Sequence, residues 1–92
     1  MKNNALKIDQ KDNVAIAVHP IAKGEAVVVE GKPLVETIED VDAGHKVALS
    51  EIRKGEEVFR YGEPIVEATR AIKKGEWVHV HNTQPIPGDL KD

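Results

Sequence analysis

Cysteine is absent from the 92 residues, which excludes a disulfide framework and thiolate metal ligands and fits a reducing compartment. Aromatic side chains are nearly absent too, with one Trp, one Tyr and one Phe. An apolar interior must therefore be assembled from Val, Ile and Ala, and the core of a single small domain built this way is expected to be thin. Such a domain gains stability from a partner or from itself, so the isolated chain is expected to form a homodimer or larger assembly. No apolar run approaches membrane-spanning length, and the stretch Met1–Asn13 lacks the apolar segment of a secretory leader; the expectation is a cytoplasmic chain with no membrane partner. Charge of one sign is missing as well. The 13 Lys and Arg against 16 Asp and Glu are interspersed and give a net charge of −3, which leaves no basic stripe for nucleic acid. Nor is there a Ser-His-Asp pattern, a phosphate loop or a pair of carboxylates spaced for acid–base work.

What the chain contains is repetition. Ile21-Ala22-Lys23-Gly24-Glu25-Ala26-Val27 recurs as Ile52-Arg53-Lys54-Gly55-Glu56-Glu57-Val58 and as Ile72-Lys73-Lys74-Gly75-Glu76-Trp77-Val78, with a weaker version at Val41-Asp42-Ala43-Gly44-His45-Lys46-Val47. Sliding the chain by 31 residues aligns 14–47 on 45–78 without a gap, with twelve identities in 34 positions. This pattern predicts a duplicated unit with internal pseudo-twofold symmetry. Each copy reads as an apolar anchor, a glycine turn and a Val that opens a strand. Positive φ is expected at two or more of Gly24, Gly44, Gly55 and Gly75, because glycine has no Cβ to clash there. The segments after the turns are β-branched or aromatic and too short for helices. Val41–Ile52, the one helix candidate, carries Gly44 and fits better as turn plus strand. The prediction is an all-β domain of short strands and hairpins over 13–82, with an N-terminal arm at 1–12 and a proline-bearing tail at 83–92.

Histidine is the chemistry-bearing residue. There are four, and His79 and His81 flank Val80 in the last repeat. If a strand runs through them, both face one way, roughly 6–7 Å apart along the chain. They are then either metal or polar-ligand groups, or simply the wet face of a strand whose Val78 and Val80 pack behind. The repeat favours function: three turns read Gly-Glu and the fourth reads Gly44-His45, while His79 and His81 stand where the offset copy has Ala48 and Ser50. Histidines thus occur where the copies have diverged. His19, beside Pro20, reads as a surface residue, and Lys23, Lys54 and Lys74 as solvated turn cations. Arg60, next to Tyr61, either grips a carboxylate through its fork or forms a surface ion pair. A catalytic metal normally takes three or more protein ligands, so any site here needs a second chain to complete it.

Gly44-His45-Lys46-Val47-Ala48-Leu49, Arg60-Tyr61-Gly62, Ile65-x-x-Ala68-Thr69 and Ile72-x-x-Gly75-x-x-Val78-His79-x-His81-Asn82 resemble the SAF domain of the altronate and galactarate dehydratases, over about residues 12–82. Members of that family usually carry Lys, Gly and Thr where this chain has Arg60, Val66 and Val80. The resemblance implies a β-clip fold and a large catalytic partner. It also implies a divalent metal, iron first and manganese second, held mainly by that partner. The implied reaction is loss of water from a sugar acid to give a 2-keto-3-deoxy acid. His79, His81 and His45 are then the acid–base candidates, with His79 and His81 as shared metal ligands and Asn82, Lys46, Arg60 and Tyr61 as substrate-binding groups. Alternatives are the small subunit of (2R)-sulfolactate sulfo-lyase, or a non-catalytic carbohydrate-binding or assembly module.

Overall fold

A computed structural model describes residues 2–87, and among them there is no helix, hence none long and apolar enough to cross a membrane. The chain is all-β. Its strands are β1 (Ala5–Leu6), β2 (Val14–Ala17), β3 (Ala26–Val29), β4 (Lys32–Glu36), β5 (Lys46–Ala48), β6 (Glu57–Arg60), β7 (Glu63–Ala68), β8 (Trp77–Val78) and β9 (Thr83–Gln84). All pairings are antiparallel and form three sheets, in the orders β1-β2-β5-β8, β3-β4 and β6-β7-β9.

The pairing repeats at the sequence offset. Hairpin β3-β4 pairs Val27 with Val35 and Val29 with Lys32; hairpin β6-β7 pairs Val58 with Val66 and Arg60 with Glu63. Both shift register at the same step, Val27/Val28 and Val58/Phe59, and the bridges Ile21–Val41 and Ile52–Ile72 are equivalent in the same way. Each hairpin turns through two residues of positive φ, Glu30-Gly31 and Tyr61-Gly62, the conformation whose twist matches that of paired strands. Two small cores result. Ala17, Ile21, Val27, Val41 and Val47 in one correspond to Ala48, Ile52, Val58, Ile72 and Val78 in the other, all buried.

Residues 2–12, expected as an arm, are stitched into this scaffold. β1 pairs with β2, Ala5 opposite Ala17. The physical reason lies in the bulges, which leave backbone groups without ladder partners. At the first, Asn4 donates from Nδ2 to the Ala26 carbonyl (2.9 Å) and accepts the Val28 N–H (2.8 Å). At the second, Asn13 donates to the Glu57 carbonyl (2.9 Å) and accepts the Phe59 N–H (2.8 Å). One amide side chain therefore replaces a missing strand residue in each half. The other end of the domain also differs from expectation: Thr83–Gln84 forms β9, opposite Ala68 and Glu67. Of the rest of the expected tail, 85–87 form no strand and 88–92 lie outside the described residues.

Asp12 fastens the second hairpin turn. Its buried carboxylate accepts the N–H of Gly62 at Oδ1 (2.8 Å) and those of Asp9 (3.1 Å) and Ile8 (3.3 Å) at Oδ2. Burial alone would raise its pKa, but the N–H groups of Gly62, Asp9, Tyr61 and Ile8 outweigh burial and hold it below the ordinary 3.8. A carboxyl depressed by folding stabilises the fold above its unfolded pKa, and the contribution fades as pH falls through the lower folded value. Asp12→Asn is expected to cost about 1–3 kcal/mol at pH 7. The gap between variant and wild type should shrink as pH falls below about 4. Urea unfolding at the two pH values measures both, and an unchanged gap would remove the carboxylate from this role.

Candidate functional site

The Gly-Glu turns have a local logic that explains where the histidines go. Glu25, Glu56 and Glu76 each turn back to accept, at Oε1, the N–H three residues earlier, from Ala22 (2.8 Å), Arg53 (2.7 Å) and Lys73 (2.9 Å). A carboxylate there closes its own turn. Imidazole at position 45 does not serve that turn, and its ring projects elsewhere.

The β5-β8 ladder decides where. Val47 lies opposite Trp77 and Lys46 opposite Val78. Continuing that register by one step sets His45 against His79, the spacing at which cross-strand side chains touch. Their rings stack with centroids 4.8 Å apart. Trp77 packs on the same group, 5.6 Å from His45 and 5.3 Å from His79, and His81 tilts onto the indole at 4.6 Å. Trp77 Nε1 donates to His45 Nδ1 at 2.9 Å. Because indole can only donate, Nδ1 is the bare nitrogen of His45 and Nε2 carries the hydrogen. Desolvation first, then the charges of His45, Lys46 and His81, hold the His79 pKa below its ordinary 6.5. At neutral pH, His79 is thus an imidazole base beside an Nε2–H donor.

The route to this cluster differs from the strand expected through 78–82. β8 ends at Val78, and the chain turns. Val80, the residue that alternation would pack, is 78% exposed. His79 and His81 both reach Trp77, but through a turn and not through the alternating face of a strand. Asn82 holds that turn. It is 0% exposed: its Oδ1 accepts the His79 N–H (2.9 Å), and its Nδ2 donates to the Trp77 carbonyl (2.9 Å) and to Glu76 Oε2 (3.4 Å). Asn82, a substrate-binding candidate by resemblance, spends its amide in this structure on the protein's own groups at the turn that carries His79 and His81. Below it, Glu76 pairs with Arg70 at 2.8 Å. Burial would raise the Glu76 pKa, but the Lys73 N–H, Arg70 and Asn82 bring it below its ordinary value.

Lys46, next to His45, is half-buried and lies opposite Val78, and Tyr61 carries Arg60 over its ring, with the guanidinium carbon 5.4 Å from the centroid. Trp77 and Glu39, which accepts the Trp77 N–H at 3.0 Å, are the residues that sequence reasoning did not single out. The only signal for Trp77 was its being the sole tryptophan, in the divergent repeat. His19 stays exposed. Among the described residues no three His, Asp or Glu side chains are grouped as a metal would require, and His45 has committed Nδ1 to the indole. The described residues therefore do not by themselves supply the three ligands of a metal centre. The arrangement suits proton transfer and hydrogen bonding to a ligand on an open surface.

Comparison with known proteins adds the following. The family model described as the altronate/galactarate dehydratase SAF domain matches residues 3–85, which takes in β1 and β9. The chain is similar to an altronate dehydratase of Bacillus subtilis (strain 168), 38% identical over 86 residues, 94% of this chain and 17% of that protein. It is also similar to an altronate dehydratase of Escherichia coli (strain K12), 44% identical over 85 residues, 92% of this chain and 17% of that one. The chain thus spans about a sixth of the length of the curated relatives it matches.

Proposed function

The chain belongs to the altronate/galactarate dehydratase SAF-domain family, and from that premise we propose that it is the SAF portion of a hydro-lyase acting on a sugar acid, completed by a large catalytic region. The observation that carries this reading is the gathering of His45, 32 residues away in sequence, with His79 and His81 on the one tryptophan, Trp77. The reaction is an elimination. The carbon next to the carboxylate loses a proton, the neighbouring hydroxyl leaves and takes up a proton to depart as water, and the resulting enol rearranges to the 2-keto-3-deoxy acid. His79, neutral at pH 7, is suited to receive the first proton; His45, with its hydrogen on Nε2, is suited to meet the leaving hydroxyl. The divalent metal expected of the family takes its ligands mainly from the large region, with His79 and His81 as this chain's candidates to share it.

The test is reconstitution with that region and a sugar-acid substrate such as altronate or galactarate, following 2-keto-3-deoxy acid formation. His79→Ala and His81→Ala should each lower kcat by about a hundredfold or more while the complex still assembles. Unchanged turnover in both would reduce the domain to an assembly module. Full turnover by the isolated chain would sink the two-chain arrangement, and release of sulfite from sulfolactate in place of dehydration would move the reading to the sulfo-lyase.

A further inference from the structure

The stretch that carries the last two histidines, residues 75–82, is held at both ends by the same two positions of the repeat. Ile38 and Thr69, 31 residues apart, follow the ends of β4 and β7. Ile38 donates its N–H to the Gly75 carbonyl (3.0 Å), and Thr69 donates its N–H to the Asn82 carbonyl (2.9 Å). The next residues, Glu39 and Arg70, are also 31 apart, and each reaches the same stretch with its side chain. Glu39 Oε2 accepts the Trp77 N–H (3.0 Å), and Arg70 Nη2 meets Glu76 Oε2 (2.8 Å). The exits of the two hairpins therefore grip one segment from opposite ends.

Closing a Gly-Glu turn does not require so much. Glu25 and Glu56 close theirs from exposed positions, whereas Glu76 is 6% exposed. A carboxylate taken out of water is unfavourable unless protein groups replace the water. At Glu76 they do. Oε1 keeps the turn bond from Lys73, while Oε2 is shared between Arg70 and the Nδ2 of Asn82 (3.4 Å). Asn82 passes the constraint on, to the His79 N–H and the Trp77 carbonyl. Arg70 thus acts on His79 through two intermediaries, and Glu39 fixes the Trp77 peptide from the other half. Backbone held at residues 77 and 79 fixes where the indole and the imidazole leave the chain, and so how they meet His45.

We propose that Glu39 and Arg70 are positioning residues of the imidazole–indole cluster, the two side chains by which the repeats jointly clamp residues 75–82 and set His79 and Trp77 against His45. The inference deepens the function proposed above and rests on it only for its kinetic arm.

The 92-residue chain carrying Arg70→Met, Glu39→Met or both is compared with wild type by amide hydrogen exchange and by NMR of the histidine rings and the Trp77 indole N–H. Arg70→Met should speed exchange of the His79 N–H at least about tenfold, and Glu39→Met that of the Trp77 N–H, as loss of a hydrogen bond to a charged group requires. The indole N–H signal should move in both, while the amides of Val27 and Val58, inside the hairpins, keep their protection. Arg70→Lys and Glu39→Gln retain a donor and an acceptor and should restore most of the wild-type pattern. In the complex reconstituted with the large region, the double variant should lower kcat about tenfold or more and leave KM within about twofold. Unchanged exchange and ring signals in both Met variants overturn the clamp. So does protection lost evenly over the hairpins, which would make the two residues general stabilisers. A raised KM with kcat intact overturns it as well, by making them ligand-binding groups. If no complex dehydrates a sugar acid, the function proposed above fails, and the exchange and ring signals alone decide the clamp.

Discussion

Gly75→Ala should destabilise the domain by about 3 kcal/mol or more, a large share of the margin by which a chain of this size is folded. Two costs add. The residue has φ +86, a backbone conformation that costs alanine about 1–2 kcal/mol. A Cβ built there collides with the carbonyl oxygen of Glu36, and overpacking against immovable backbone costs about 1–3 kcal/mol more. The site cannot yield easily, because the Gly75 N–H donates to Ala48 (2.8 Å) and its carbonyl accepts the Ile38 N–H (3.0 Å), tying the first hairpin's exit to the last turn. Gly24→Ala is the control. It has nearly the same φ, +88, with nothing within 4 Å of the added methyl, so only the conformational cost of about 1 kcal/mol remains. Chemical denaturation of the two variants measures the difference. Equal losses would show that the contact with Glu36 relaxes freely.

Asn82→Ala should cost about 2–4 kcal/mol and disperse the ring cluster. The substitution strips a buried acceptor from the His79 N–H and a buried donor from the Trp77 carbonyl, and each group left dry and unpaired costs about 1–3 kcal/mol. It also frees the turn that brings His81 back to Trp77, so the ring-current shifts of His45, His79 and His81 in NMR should collapse towards random-coil values. Asn82→Asp keeps the acceptor but loses the donor and sets a carboxylate beside Glu76, so it should rescue the fold poorly at pH 7. A stable Asn82→Ala variant with its ring shifts intact would return Asn82 to the list of substrate-facing groups.

Sequence by itself determined what depends on local backbone sterics and on repetition. The turn glycines are legible because a positive φ leaves almost no other choice, and all four, Gly24, Gly44, Gly55 and Gly75, have it. The all-β class followed from β-branched segments too short for helices, and the offset of 31 marks residues that are equivalent in the two hairpins. His45, His79 and His81 stood out as departures from that repeat. Tertiary structure decided what each departure does. His79 and His81 converge through a turn and not a strand, because a buried Asn82 outcompetes continued pairing beyond Val78. Asn4 and Asn13 carry no repeat signal, since they lie 9 residues apart, yet they perform the same task at the two bulges. The indole–imidazole hydrogen bond joins residues 32 positions apart, and the Arg60 Nε is buried with no acceptor among the described residues. Local propensity acts over a few residues of chain. Which polar groups are left without partners is settled only when distant strands close over them.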